Sequence, residues 1–273
     1  MRAAARPGGA VGGPAEAAAR RYLQAADRLL PGRVVGLYVV GSAALGAFRP
    51  GRSDVDLIAV VDGEVDLRRL RALHLLSGTG ELLRAVARRQ TLLTGTCNVA
   101  FVRHDDLTRP VTEIAPVASH VGHQFTPGAA FDVNPVVWKV LQERGIPVRG
   151  PAPADLGLDP EPEILRAWNR TNLESYWRPW ADRALRRRAT LQPGWTIAWG
   201  ALGPPRLHHT VATGHVLAKE EAGAYALDTF GGRWHPVIRA GIAYREHRDR
   251  DRSVPWRDAA RFALAVVDDA LLR

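Results

Sequence analysis

Apolar residues follow different patterns in the two halves of the chain. In the first half, short apolar runs rich in β-branched residues predict strands at 34–40, 57–61 and 97–103. Helical spacing predicts helices at 15–30 and from 67 to about 89, and Asn134 with Pro135 predicts another helix that ends at Gly145. In the second half the spacing is helical throughout, with helices predicted at 161–177, 195–213, 217–230, 234–247 and 256–272.

A proline-rich segment lies between these halves. Residues 146–162 contain five prolines, and all eight tryptophans lie between Trp138 and Trp256. This shift in composition predicts a linker. We therefore expect an α/β N-terminal domain at 15–155, with a mixed sheet flanked by helices, and an all-helical C-terminal domain at 160–273.

Composition narrows the class of protein. The 273 residues are 46% hydrophobic and 24% charged, which is ordinary for a globular protein. No apolar run approaches the roughly 18 residues of a membrane span, and residues 1–14 lack the apolar core of a signal peptide. The single cysteine, Cys97, excludes an internal disulfide framework. We expect a cytoplasmic protein with no membrane partner.

The formal net charge of +9 raises the question of nucleic-acid binding. Arginines carry most of this charge and are scattered along predicted helices, as at 67–71. The densest run, 183–188, has no interleaved aromatic residues. A solvated helix surface or a triphosphate-binding cleft explains the charge, and we do not predict a nucleic-acid partner.

The segment between the first two predicted strands carries the candidate chemistry. Gly41 and Ser42 follow the first strand directly, and Ser53-Asp54-Val55-Asp56 leads into the second. Asp54 and Asp56 project from one face because strand side chains alternate. Adjacent carboxylates repel each other unless a cation lies between them, and Mg²⁺ combines one or two carboxylates with substrate phosphates. Backbone N–H groups at Gly41 and Ser42 suit a phosphate.

This combination resembles the signature of the polymerase-β-type nucleotidyltransferase superfamily. The resemblance covers Gly41, Ser42, Ser53, Asp54 and Asp56 in order. It implies that the serine after the glycine contacts a nucleoside triphosphate and that the two aspartates hold the metals. We accordingly predict Asp54 and Asp56 as catalytic and metal-binding residues, and Gly41, Ser42 and Ser53 as nucleotide-binding residues.

A second segment of interest lies at 205–222. Thr213-Gly214 ends one predicted helix there, and Lys219 falls in the first turn of the helix that follows. With Arg149-Gly150-Pro151, it resembles the C-terminal domain of aminoglycoside adenylyltransferases of the streptomycin/spectinomycin group. The resemblance implies that Arg206 and Lys219 reach across a cleft to the phosphates of ATP, and that a hydroxyl of the antibiotic attacks the α-phosphorus.

One position departs from that family, which carries a glutamate on the third strand as catalytic base. Asn98 stands there in this chain. An amide cannot accept a proton at neutral pH. Either another acid acts instead, with Glu113 and Glu174 as candidates, or the reaction proceeds without a base, since phosphoryl-type transfer relies mainly on positioning and electrostatics.

The sequence thus predicts Mg²⁺-dependent transfer of AMP from ATP to a hydroxyl of a small molecule, with an aminoglycoside or aminocyclitol antibiotic as the acceptor and resistance as the consequence. Three alternatives stay open. The enzyme could act on another metabolite or on a protein side chain, or the chain could be a degenerate ATP-binding sensor. A nucleic-acid-binding module rests on net charge alone. The sequence specifies neither the acceptor, the base nor the oligomeric state.

Overall fold

The computed structural model describes residues 13–87, 97–186, 194–248 and 254–272. Six strands form one sheet: β1 Val34–Val39, β2 Val55–Val61, β3 Cys97–Arg103, β4 Ala118–Val121, β5 Gln124–Pro127 and β6 Ile146–Arg149. The helices are α1 Pro14–Leu29, α2 Gly41–Ala44, α3 Leu67–Ala87, α4 Pro135–Arg144, α5 Leu165–Asn172, α6 Arg178–Arg186, α7 Gly194–Thr213, α8 Lys219–Thr229, α9 His235–Arg245 and α10 Trp256–Leu272.

The sheet is mixed, with the order β5-β4-β3-β2-β1-β6. Only β2 and β3 are parallel, and the long helix α3 makes the crossover that such a pair requires. The other neighbours pair antiparallel. The parallel pair puts the starts of β2 and β3 at the same edge of the sheet, so residues at these two positions come together there.

Strand alternation gives the sheet two apolar faces. One face, with Leu57 and Phe101, packs against α1 and α3. The opposite face, with Ile58 and Ala100, packs against α4, whose Trp138 is fully buried. Each strand therefore sends alternate side chains to one of two helical layers, as the period of two requires. The same alternation continues to the strand ends, where polar residues replace apolar ones.

Helix α4 begins and ends where the sequence predicts. The side chain of Asn134 accepts hydrogen bonds from the N–H groups of Val136 and Val137 at 2.9 and 3.0 Å, and Pro135 occupies the first turn. Gly145 is the C-terminal cap residue. This local cap fixes the turn that precedes the helix, including Asp132.

The predicted linker at 146–162 was wrong for its first four residues. Ile146–Arg149 forms β6 and extends the sheet beside β1. Arg149 anchors this edge strand, because its guanidinium donates to both carboxylate oxygens of Asp27 at 2.6 and 2.8 Å and to the carbonyl of Val34 at 3.0 Å. The domain limits 15–155 and 160–273 stay predictions.

From Leu165 onward, the regular elements in the described part of the chain are all helical, as predicted. Helix α7 lies centrally and contacts α5, α8, α9 and α10. The predicted helix at 161–177 begins later, at Leu165, and runs through the π-helical turn Leu173–Trp177 into α6. No described helix is long and apolar enough to cross a membrane.

The close packing of the helical half can be tested by substituting a glycine that contacts a tryptophan. A Cβ at Gly203 in α7 would overlap the indole of Trp177, whereas a Cβ at Gly78 in α3 would meet nothing within 4 Å. Overpacking typically costs about 1–3 kcal/mol, and a helical glycine-to-alanine change in open space gains about 1 kcal/mol. We expect Gly203→Ala to lower the free energy of unfolding and Gly78→Ala to raise it. Denaturant titration of both variants checks this, and a stabilising Gly203→Ala would contradict the packing of Trp177 on α7.

Candidate active site

The two predicted metal ligands lie at the start of β2. Asp54 immediately precedes the strand and Asp56 is its second residue. Val55 and Leu57 belong to the core on the α1 side, and Ile58 to the core on the α4 side. By alternation, both carboxylates lie on the α4 side of the sheet. Asp54 is exposed and Asp56 is half-buried.

Gly41 packs directly against one of these carboxylates. The N–H of Val40 donates to the carbonyl of Asp56 at 2.9 Å, which ties the end of β1 to the start of β2. Gly41 then adopts a φ of +59°, and a Cβ at this position would overlap the Asp56 carboxylate. Both the backbone angle and the close approach require glycine here. Ser42, the next residue of α2, therefore lies at the same edge of the sheet as Asp56.

Asn98 lies beside Asp56, in register with it across the parallel pair β2–β3. Its side-chain N–H donates to Oδ1 of Asp56 at 3.2 Å, and its side-chain oxygen accepts from the N–H of Gly122 at 3.0 Å. The amide therefore supports the ionised form of Asp56 as a donor. It cannot serve as a proton acceptor, because its oxygen is held by backbone and an amide is not basic.

A third carboxylate at this site, Asp132, was missed by the sequence prediction. It lies in the turn before α4, the helix that covers the Asp56 side of the sheet. The pKa of Asp56 rises to about 7, first because of burial and next because of the charge of Asp132, with a smaller contribution from Asp54. Burial also raises the pKa of Asp132. The only signal in the sequence is an aspartate two residues before a helix cap, which is common in turns.

The predicted alternatives to Asn98 lie elsewhere. Glu113 is 59% exposed and pairs with Arg109 at 3.4 Å, and Glu174 is exposed in the π-helical turn. The pKa of Asp56 responds to burial and to Asp132, Asn98, Asp54 and Lys219, and not to either glutamate. Asp132, in contrast, is a carboxylate whose charge does act on Asp56.

Arg206 and Lys219 approach the aspartates from the helical half. Burial lowers the pKa of Arg206, while the charge of Asp56 raises it. Burial and the charges of Arg206 and Arg245 lower the pKa of Lys219 to about 8, while Asp56 and Asp54 oppose that shift. The Lys219 ammonium also lies 5.3 Å from the ring centre of Trp199. The structure thus brings both predicted cations within electrostatic reach of the aspartates.

The Nε of Arg206 donates to the carbonyl of Leu217 at 3.0 Å, which fixes the chain just before α8. Lys219 is the first residue of α8, as predicted. The other buried cation of this group, Arg245, was missed, because nothing in the sequence distinguishes it from the many surface arginines. It ends α9 and is 3% exposed.

The donor set fits a magnesium ion. Within the described ranges, no group of three or more His, Cys, Asp and Glu side chains is arranged to hold a metal ion by itself. Asp54 and Asp56 offer hard oxygen donors, and a cation between them would relieve their mutual repulsion. Mg²⁺ takes one or two carboxylates and completes its shell with water and phosphate oxygens. Because the pKa of Asp56 is about 7, a proton competes with such a cation at and below neutral pH.

Comparison with known proteins agrees with this geometry. The family model described as "Nucleotidyltransferase domain" matches residues 19–90, which include the Gly-Ser and Asp-x-Asp segments. Two curated proteins named "Aminoglycoside (3'') (9) adenylyltransferase", from Klebsiella pneumoniae and Shigella flexneri, are each 26% identical to this chain over 242 residues. The alignment covers 82% of this chain and 83% of each relative.

The fold also matches a solved structure over nearly its whole length. A crystal structure of spectinomycin adenyltransferase AAD(9) from Enterococcus faecialis, with ATP and spectinomycin, superposes with a TM-score of 0.70 at 11% identity. The match covers 94% of this chain and 99% of that one. It confirms the predicted fold class, an α/β nucleotidyltransferase half followed by a helical half. The chain therefore carries a nucleotidyltransferase domain at residues 19–90 and is similar to aminoglycoside adenylyltransferases along most of its length.

Proposed function

We propose that the protein transfers AMP from ATP, with Mg²⁺, to a hydroxyl of an aminoglycoside or aminocyclitol antibiotic in the cytoplasm, and so confers resistance. The observation that carries this proposal is the opposition of charges across the site. Asp54 and Asp56 from the sheet share an electrostatic environment with Arg206 and Lys219 from the helical half. Metal-binding carboxylates facing cations are what a metal-bound triphosphate requires on its two sides.

Each residue has a distinct role in the proposal. Asp54 and Asp56 hold the metal, which when bound neutralises phosphate charge and polarises the phosphoryl oxygens. Gly41 and Ser42 bind the phosphates at the start of α2, whose first N–H groups lack partners within the helix. Arg206 and Lys219 neutralise the negative charge that develops on the departing pyrophosphate.

Asp132 is the residue proposed to accept the proton of the attacking hydroxyl. Burial raises its pKa above that of an ordinary aspartate, which makes it a better base than a fully solvated carboxylate. Asn98, in contrast, donates a hydrogen bond to Asp56. Asp132 comes from the turn before α4, whereas the family's glutamate lies on the third strand, where Asn98 stands in this chain.

The names of the relatives support the acceptor class, and the matched crystal structure is of a spectinomycin adenyltransferase with ATP and spectinomycin. A second candidate function follows from Asn98. A site that lacks the third-strand carboxylate is compatible with an ATP-binding sensor or with transfer to a different hydroxyl compound. An assay of AMP transfer distinguishes these functions.

The proposed activity is tested directly with labelled ATP, Mg²⁺ and a panel of aminoglycosides and aminocyclitols. We expect transfer of label to at least one drug by the unaltered protein, and a loss of about 10²-fold or more in Asp56→Asn, because the metal would lose a ligand. Circular dichroism checks that the variant is folded. Transfer that is unchanged in Asp56→Asn would contradict the metal site, and ATP binding without transfer to any acceptor would favour the sensor.

Lys219 gives the site a characteristic pH dependence. Its pKa of about 8 lies below the ordinary lysine value, so the free protein carries the ammonium below pH 8 and loses it above. We expect the affinity for Mg-ATP to fall as pH rises from 8 to 9, a range in which Asp56 is already largely ionised and Lys219 loses its proton. Lys219→Met should weaken binding at pH 7 by about 10- to 150-fold, the worth of a charge-assisted hydrogen bond, and remove this pH dependence.

Calorimetry of Mg-ATP binding at several pH values measures both effects. Lys139→Met is the matched control, because Lys139 is the other lysine of the chain and pairs with Glu143 on α4 at 2.6 Å. Equal affinities in Lys219→Met and the unaltered protein would show that Lys219 does not contact the nucleotide.

The choice of base is tested at Asp132 and Asn98 together. Asp132→Asn should lower transfer by about 10²–10⁴-fold, the usual contribution of a positioned base, with little change in affinity for Mg-ATP. Asn98→Glu in the Asp132→Asn background should restore part of the activity. Asp105→Asn is the control, since that side chain is 94% exposed. Full activity in Asp132→Asn would exclude it as the base. A melting temperature far below that of the unaltered protein in Asn98→Glu would show that position 98 does not tolerate a charge.

A further inference from the structure

A single buried guanidinium connects the helical half to the loop between Gly-Ser and Asp-x-Asp. Arg245, the last residue of α9, donates from Nη1 to the carbonyl of Arg52 at 2.5 Å, and from Nη2 to the carbonyl of Ala47 at 3.3 Å and to Oγ of Ser53 at 3.0 Å. Its Nε donates to Oε1 of Glu220 at 3.1 Å. All three nitrogens of the guanidinium are therefore engaged.

The loop that Arg245 holds leads directly into the proposed metal ligands. Ala47 and Ser53 are the two ends of the segment that Arg245 contacts, and Asp54 follows Ser53. Further contacts from the end of α9 reach the same loop: the guanidinium of Arg52 lies 3.9 Å from the ring centre of Tyr244, and Nε2 of His247 is 3.0 Å from the carbonyl of Pro50. A buried charge with this many oxygen partners is costly to displace.

The contacts of Ser53 determine what its hydroxyl can still do. Its Oγ accepts one hydrogen bond from the N–H of Arg49 and one from Nη2 of Arg245, both at 3.0 Å. A serine hydroxyl has two acceptor lone pairs and one donor hydrogen. With both lone pairs occupied, Ser53 can interact with a ligand only as a donor. A phosphate oxygen is an acceptor without hydrogens at neutral pH and suits such a group.

Arg245 also contacts the helix that carries Lys219. Glu220, which accepts from its Nε, follows Lys219 in the first turn of α8, and Oε1 of Glu220 lies 3.6 Å from Nε of Arg49. The charge of Arg245 is one of the causes that lower the pKa of Lys219. One side chain thus fixes the position of Ser53 and the start of the helix that carries Lys219.

We propose that Arg245 is a positioning residue of the nucleotide site: it presents Ser53 as a hydrogen-bond donor to a phosphate oxygen of the nucleoside triphosphate and sets the distance between that donor and Lys219. This inference rests on the proposed binding of ATP. Arg245 acts through Ser53 and Glu220 and makes no contact of its own with the nucleotide.

The inference is tested by a double-mutant cycle on Mg-ATP binding, measured by calorimetry. We expect Arg245→Met and Ser53→Ala each to weaken binding by about 10-fold or more, the lower end of what a charge-assisted hydrogen bond is worth. The double variant should bind no more weakly than Arg245→Met alone, because Ser53 without Arg245 is no longer fixed as a donor. Arg245→Lys should recover part of the affinity, since an ammonium can still reach one or two of the oxygens.

The controls separate positioning from loss of stability. Arg239→Met changes an exposed arginine of the same helix, and its affinity for Mg-ATP should equal that of the unaltered protein. Melting temperatures are measured for every variant. If Arg245→Met does not fold, the cycle is carried out with Arg245→Lys, in which the effect of Ser53→Ala should shrink.

Three results would overturn the inference. Unchanged affinity in Arg245→Met, with normal affinity in the unaltered protein, would reject Arg245 and leave the proposed function intact. Effects of Arg245 and Ser53 that multiply independently would show that Arg245 does not act through Ser53. Absence of Mg-ATP binding by the unaltered protein would instead reject the proposed function, and the inference with it.

Discussion

The structure of the site depends on the repulsion between carboxylates gathered at one edge of the sheet. Asp54, Asp56 and Asp132 lie together on the α4 side, and burial, together with the charges of its two neighbours, raises the pKa of Asp56 to about 7. Such a group is stable in its ionised form only with positive charge nearby. The described residues supply part of that charge from the helical half, through Arg206 and Lys219. A bound cation would supply the rest.

The same constraint explains why two dissimilar halves form one site. The sheet contributes the carboxylates Asp54 and Asp56, and the helical half contributes the cations Arg206 and Lys219. Burial and the charges of Arg206 and Arg245 lower the pKa of Lys219 to about 8, and the opposing carboxylates favour its charged form. Arg245 joins the halves physically, because it donates to backbone carbonyls of the 47–53 loop and to Glu220 of α8.

The tryptophans of the second half, in contrast, belong mainly to the packing of the helices. Trp177 is buried against Gly203 and lies 5.2 and 5.5 Å, between ring centres, from Trp199 and Trp180. Among these three, Trp199 also approaches a site residue, through the ammonium of Lys219. The helical half therefore combines a tightly packed interior with a small charged surface that faces the sheet.

The sequence by itself determined the elements, their class and the placement of the first two aspartates of the candidate site. Strand alternation fixes Asp54 and Asp56 on one face whatever the surroundings, a Gly with positive φ after β1 is a local requirement, and the caps of α4 are satisfied by neighbouring residues. Arg206 and Lys219 came from resemblance, since spacing alone does not separate them from surface charges.

Tertiary structure decided what depends on residues far apart in the chain. Residues 146–149 looked like a proline-rich linker, but pairing with β1 and the ion pair between Arg149 and Asp27 make them a strand. Asp132 and Arg245 were not predicted, because an aspartate in a turn and an arginine at a helix end are common, and their importance arises only from neighbours distant in the sequence, Asp56 and Ser53 respectively. Local periodicity specifies which face a side chain occupies; only the packed chain specifies which other charges it meets there.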